Sequence, residues 1–197
     1  MPMVLTVSFE RDLSSSFAGR YDRGVEIWTI GHSTLAIESF LDALAANAIA
    51  LLVDVRRFPG SRRHPQFGRD ALRQALAARG IDYAHYDALG GRRRPRADSR
   101  NTAWRNDSFR GYADYMETAD FARAIDALLG EAATRRVAVM CAEMLWWQCH
   151  RGLIADYLKA RGHLVTHIGA GGKTEAHPFT SAARIIDGRL SYQGLLE

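Results

Sequence analysis

An α/β fold, one domain with a mostly parallel, Rossmann-like sheet flanked by helices, is predicted by three observations. Short β-branched apolar runs alternate with amphipathic stretches along the chain, as in successive βαβ units. The first strand, helix and second strand fit within roughly 30 residues, the length of one such crossover. Polar clusters then follow the apolar runs at their C-terminal ends, where open parallel sheets carry their ligands.

The pattern begins at Glu26. Residues 1–25, interrupted by Ser14-Ser15-Ser16 and Gly19, show no sustained period and are expected to form a flexible extension, leaving 26–197 as one α/β domain. Ile27-Trp28-Thr29-Ile30 reads as a buried strand stopped by Gly31-His32-Ser33. Thr34 is the expected N-cap of a helix carrying Ile37, Phe40, Leu41, Leu44 and Ala48 at helical spacing. Residues 49–53 form the second strand, which ends in Asp54-Val55-Arg56-Arg57. Pro59 and Gly60 open a loop with Arg62, Arg63 and His64, and a helix over 69–79 closes at Gly80. A third strand is expected over 81–86, turned by Gly90-Gly91 into a basic loop.

Two helices follow, Phe109 to Thr118 and Phe121 to Leu129, with Asp120 as the expected cap of the second. A strand over 137–140 runs into Cys141-Ala142-Glu143, an aromatic loop with Trp146 and Trp147, and then Cys149-His150-Arg151 at the start of a helix to about Lys159. Leu164–Ile168 is the last buried strand. In the tail, Asp187-Gly188 between 184 and 192 suits a type I′ turn and predicts a small C-terminal hairpin.

Of 197 residues, 47% are hydrophobic and 24% charged, the balance of an ordinary globular domain. No apolar run approaches the roughly 20 residues of a membrane span. The stretch from Met1 to Asp12 turns acidic too soon for a signal peptide, so a cytoplasmic setting without membrane contact is expected. In that reducing setting the chain's two cysteines point to catalysis, redox chemistry or metal binding rather than a structural bridge. Net charge is +4, and Lys159 and Lys173 are the only lysines among 26 basic residues. Between 56 and 110, 14 arginines stand against five acidic residues, and arginine's fixed fork suits phosphate.

Four polar clusters follow buried strands: Gly31-His32-Ser33, Asp54-Val55-Arg56, Cys141-Ala142-Glu143 and His167-Ile168. Parallel strands would bring them to one edge and one crevice. Cys149 lies where a helix N-terminus lowers a thiol pKa, so it is the candidate nucleophile, with Cys141 the second choice. Glu143 and His150 are the candidate acid–base pair, Glu143 above all if desolvated beside the tryptophans. His32, Ser33, Asp54, Arg56, Arg151 and His167 are the candidate substrate-binding residues. Seven residues separate the cysteines and His150 adjoins the second, which matches no standard zinc spacing, so no metal ligand is assigned; the cofactor stays open. Arginines with Trp104 and Phe109 over 92–110 have the charge and aromatic content of a nucleotide or nucleic-acid contact.

Together these residues resemble the uncharacterised family named domain of unknown function 488. The matching pieces are Gly31-His32-Ser33, then Asp54-Val55-Arg56 with Pro59, Ser61 and Phe67, and Tyr83 to Leu89-Gly90-Gly91. Next come Phe109 with Tyr112 to Met116, Cys141-Ala142-Glu143 with Cys149-His150-Arg151, His167-Ile168, and the tail around His177-Pro178 and Ser181 to Arg184. The resemblance spans about 26–195 and departs at the N-terminal extension and at Met144–Gln148. It implies an α/β domain with one polar site and supplies no reaction. The expected function is an enzyme, a cysteine-dependent hydrolase or transferase acting on a phosphate-containing, nucleotide-like substrate. The alternatives are a non-catalytic nucleic-acid-binding module and a metal-binding or thiol redox protein.

Overall fold

The computed structural model describes residues 24–60 and 63–194. The expected N-terminal extension, apart from its last two residues, and Ser61 and Arg62 of the loop opened by Pro59 lie outside the described residues. Strands β1 (Glu26–Gly31), β2 (Leu51–Asp54), β3 (Asp82–His85), β4 (Val137–Cys141) and β5 (Leu164–Ile168) pair in parallel. A sixth, β6 (Thr174–Ala176), runs antiparallel beside β5, giving the order β3-β2-β4-β1-β5-β6. This short exposed strand, unexpected in the tail, covers the edge of β5 that would otherwise offer unpaired amides.

Helices α1 (Ile37–Ala46) and α2 (Arg69–Ala77) cover one face. Helices α3 (Asp107–Met116), α4 (Ala119–Ala132) and α5 (Arg151–Ala160) cover the other. The alternation of side chains along each strand divides the core accordingly. Trp28, Ile30, Leu52, Ala138 and Met140 pack with Phe40, Leu44, Leu72 and Leu76 on the first face. Ile27, Leu51, Val53, Val137 and Val139 pack with Tyr112, Phe121, Ile125 and Leu153 on the second.

Two caps differ from expectation. The N-cap of α1 is Ala36, with no side-chain bond, because the chain first turns through Ser33 in the left-handed region (φ 43). Thr118 rather than Asp120 caps α4, its hydroxyl accepting from Phe121 N, since α3 ends at Met116 and leaves room for one extended residue. The C-terminal hairpin of β7 (Arg184–Ile186) and β8 (Arg189–Ser191) forms as expected, with Asp187 (φ 49) and Gly188 (φ 73) both left-handed. Among the described residues no helix is long and apolar enough to cross a membrane.

Strands β1 and β4 lie side by side, yet their connections leave in opposite directions, β1 through α1 to β2 and β4 through α5 to β5. Their carboxyl ends therefore bound the crevice where open α/β sheets hold ligands. Gly31 and Cys141 are register partners at that point.

Candidate active site

Cys141 ends β4, and the loop that follows returns Cys149 and His150 to it at the start of α5. His150 Nδ1 lies 3.6 Å from Cys149 Sγ and 3.9 Å from Cys141 Sγ. Both cysteines are reduced, and the three ligand atoms of Cys141, Cys149 and His150 lie within 4.8 Å of one another. The His150 ring packs on Tyr112 at 5.0 Å, and its Nε2 is buried without a partner, so its polar work falls on Nδ1. A Cβ on Gly91 would stand 2.9 Å from that same nitrogen, so the turn after β3 closes on the ring only as glycine.

The two thiols are inequivalent. Burial pushes the Cys149 thiol up, but the bond with Cys141, then His150 and the Arg151 guanidinium outweigh it and hold it well below a free thiol. Cys141 is pushed well above, first by its bond with Cys149 and then by burial. Of the two, Cys149 is the thiol that gives up its proton more readily. The Arg151 backbone N–H, 3.5 Å from Cys149 Sγ, adds the expected helix-start stabilisation.

Arg151, expected to bind substrate, is 1% exposed and its guanidinium is committed within the protein. Nη2 donates to the carbonyls of Glu143 (2.5 Å) and Met144 (3.2 Å), pinning the loop between the cysteines. Gly31 permits this approach, since a Cβ there would stand 1.8 Å from the Glu143 oxygen. Arg151 Nη1 donates to Thr29 Oγ1 at 3.0 Å. From there a buried chain runs through His167 Nδ1 (2.6 Å from Thr29), His167 Nε2 to His177 Nδ1 (2.8 Å), and His177 Nε2 to Asp156 Oδ1 (2.9 Å). Burial, then His177 and Arg151, push the His167 pKa down to about 2, so the ring is neutral. One consistent direction satisfies every bond: Arg151 donates to Thr29, Thr29 to His167, His167 to His177, and His177 to Asp156. Thr180 N, Thr180 Oγ1 and Tyr192 Oη also donate to Asp156. Trp146 closes the chain off from water, stacking on His167 at 4.6 Å.

Asp54 and Arg56 stand on the other face. Asp54 pairs with Met140 across β2 and β4, so its side chain leaves toward α1 and α2, away from the thiols. Arg56 donates through Nε (2.9 Å) and Nη2 (2.6 Å) to Asp54, whose Oδ2 also accepts from Tyr83 Oη at 2.8 Å. Arg56 Nη1 is 3.3 Å from His32 Nε2, and His32 Nδ1 is 3.0 Å from the Ser33 carbonyl. Burial and then Arg56 push the His32 pKa down to about 4. The neutral ring therefore donates from Nδ1 and accepts at Nε2, and it stacks on Phe67 at 4.2 Å. These polar atoms satisfy one another.

The expectation of a single crevice is thus corrected. One edge carries two clusters on opposite faces of the sheet, because side chains alternate and Asp54 and Cys141 fall one residue apart in register. Cys141, Cys149 and His150 are brought together; Arg151 and His167 stand behind them; His32, Asp54 and Arg56 form the second cluster. Ser33 is half-buried at the edge, its N–H donating to the Ala142 carbonyl at 2.7 Å. Glu143 is exposed rather than desolvated by the tryptophans, and among the described residues its carboxylate makes no hydrogen bond or ion pair. Thr29, Asp156, His177, Thr180 and Tyr192 escaped sequence reading as a network. The available signal was Asp156 between Ile154-Ala155 and Leu158, a carboxylate on an apolar helix face.

Beside the thiols, a cleft of about 680 Å³ opens between the β2–α2 loop, the basic loop and α4, lined by Arg57, Phe58, Arg93 and Tyr115, by Asp87, and by Arg123 paired with Asp120. Neither cysteine lines it; Gly90 and Gly91 separate them, contacting Arg57 on one side and His150 on the other. Arg57 and Arg92 are exposed, Arg92 is left-handed (φ 60), and its guanidinium lies 6.0 Å over the exposed Phe58 ring. The rest of the basic loop is tied to α3 through Asp114, which accepts from Arg96 N, Ser99 Oγ and Asn101 Nδ2. Trp104 packs on Phe109 (4.9 Å) and Tyr192 (5.7 Å) and is not a free stacking platform.

No curated protein and no solved structure matches the chain. The model of the family described as domain of unknown function DUF488 matches residues 36–158, more than half of the chain and all of the thiol cluster. The chain belongs to that DUF488 family.

Proposed function

We propose that the protein is an enzyme that acts on a phosphate-containing, nucleotide-like substrate, with Cys149 as its nucleophile. The observation that carries this reading is the placement of Cys149 Sγ. It lies at the start of α5, 3.6 Å from His150 Nδ1 and 3.5 Å from the Arg151 backbone N–H, with the Cys141 thiol beside it. Such a sulfur is activated by its neighbours, and the imidazole is positioned to move the proton of a leaving or attacking group. Cys141 supports Cys149 rather than replacing it. Glu143, exposed at the rim, is the second acid–base candidate.

Substrate recognition falls to the rim. Arg57 offers an exposed guanidinium in the lining of the cleft, and the exposed Arg92 guanidinium lies over the Phe58 ring that also lines it. A phosphate between arginines and a flat ring on Phe58 is the combination a nucleotide presents. Arg94, Arg100 and Arg105 extend the exposed basic surface and would hold the backbone of a longer nucleic acid. His32, Ser33, Asp54, Arg56, Arg151 and His167 then act by positioning. Two reduced thiols at the centre suit a reducing cytoplasm.

The test is alkylation of the metal-free protein with both cysteines present at pH 7, the alkylated residue being located by mass analysis, followed by mass analysis after incubation with nucleotides and oligonucleotides. Cys149 is expected to react with iodoacetamide about tenfold faster than free cysteine, and to be the residue that carries a substrate-derived adduct. Ordinary reactivity of Cys149, together with turnover that survives Cys149→Ser, would end this reading.

A further inference from the structure

We propose that Cys141 Sγ, Cys149 Sγ and His150 Nδ1 form a three-ligand site for a soft divalent metal ion of the zinc class, and that the ion caps Cys149. All three donor atoms lie within 4.8 Å of one another, and the two sulfur–nitrogen separations are 3.6 and 3.9 Å. Tetrahedral zinc with Zn–S near 2.3 Å and Zn–N near 2.1 Å needs ligand-to-ligand edges of about 3.5–3.8 Å. The two sulfur–nitrogen edges therefore need to shift by only tenths of an ångström, and the sulfur–sulfur separation, within 4.8 Å, has at most about 1 Å to close.

The ligands are held from both sides. Cys141 ends a strand paired along its length with β1, and its carbonyl accepts from His32 N at 3.1 Å. His150 is wedged between Tyr112 and the backbone of Gly91. The Arg151 N–H on Cys149 Sγ is the outer-shell donor that metal thiolates use. Two thiolates and an imidazole select zinc-class ions over magnesium or calcium, which take oxygen. Three protein ligands leave the fourth position to water, the arrangement of reactive rather than purely structural zinc sites. Coordination needs both sulfurs as thiolates and Nδ1 unprotonated, so the ion takes a lone pair from each of the three atoms and whatever protons they carry leave to solvent.

The spacing hides the site in sequence. The two cysteines are brought together by a strand, loop and helix, not by a short knuckle.

The ion binding stands on the distances alone; the capping rests on the nucleophile reading of Cys149. Full-length protein stripped with chelator is titrated with Zn²⁺ against a chromophoric competitor, and in parallel with Co²⁺. About one ion per chain is expected, with the intense thiolate-to-cobalt absorption of a tetrahedral sulfur site. Cys141→Ser and His150→Gln, checked for fold by circular dichroism, should each weaken binding. Zinc should slow Cys149 alkylation by about tenfold or more, and chelator should restore it. Cobalt without sulfur absorption, or equal zinc retained by the Cys141→Ser/Cys149→Ser double variant, overturns the site. Fast Cys149 alkylation that zinc leaves unchanged also overturns it while sparing the nucleophile reading. Tight zinc binding with ordinary metal-free Cys149 reactivity overturns that reading and the capping, and leaves the metal site standing.

Discussion

Asp54 and Cys141 end neighbouring strands, yet their side chains leave opposite faces of the sheet into two different kinds of polar cluster. Around Asp54, both carboxylate oxygens accept from Arg56, Oδ2 also from Tyr83, and both ring nitrogens of His32 have partners. Around Cys141, two sulfurs and an imidazole meet at 3.6 and 3.9 Å, and a backbone N–H reaches each sulfur, Arg151 to Cys149 and Glu143 to Cys141, with no carboxylate among the partners described. A buried charge is tolerated when its bonds are complete, as with Asp54 and Arg56. The thiol cluster is held by long sulfur contacts of 3.5–3.9 Å, and such weakly engaged groups are the ones that exchange their partners to bind and react. The same types of residue at one sheet edge thus divide into a brace and a reactive centre.

The largest effect separating them should be on stability. Asp54→Ala strands the Arg56 guanidinium at 5% exposure and is expected to cost about 3–5 kcal/mol. Cys149 alkylation in the surviving folded protein should stay within about twofold of wild type, since no bond links the clusters' side chains. Denaturant unfolding with alkylation on the same samples checks both. Loss of reactivity without loss of stability would reverse the two roles.

A smaller effect comes from the buried chain behind the thiols. The His167 pKa is about 2 in the fold and near 6.5 in the unfolded chain, so the unfolded state takes up a proton first as pH falls. Stability should decline below about pH 6.5 by at most about 1.4 kcal/mol per unit from this residue, and stay flat above it. His167→Asn should be less stable at pH 8 and show a shallower slope between about pH 6.5 and 4.5. An unchanged slope in that variant would mean His167 does not carry the acid sensitivity.

The smallest effect is at the rim. Arg57→Ala should weaken binding of a phosphate-bearing ligand about fivefold, the worth of one exposed charge contact of about 1 kcal/mol, and reduce its salt dependence. Its melting temperature should not move. Isothermal titration at two salt concentrations reads this; an unchanged affinity would remove Arg57 from the recognition surface.

Much of the scaffold was legible because core-facing periodicity is local. Each buried strand and each helix leaves its spacing in the residues that form it, and Asp187-Gly188 carries its turn in two letters. The cysteine junction was equally visible, since Cys149-His150-Arg151 sits between an aromatic loop and an apolar helical pattern. Less visible was what each charged residue is for. Arg151 reads as a phosphate ligand until its guanidinium is seen bonded to Glu143, Met144 and Thr29. Asp156 and His177 are 21 residues apart, and nothing local to either announces the bond between them.

Residue order alone carries the alternation of strand and helix, the polar strand ends and the pairing of thiol with imidazole at a helix start. Those features depend on contacts a few residues long. The face of the sheet on which each polar group emerges depends on register between strands 80 or more residues apart, as Asp54 beside Met140 illustrates. So does the commitment or freedom of each donor, because partners arrive from distant elements. For that reason the place of the reactive centre can be read along the chain, while its membership belongs to the fold.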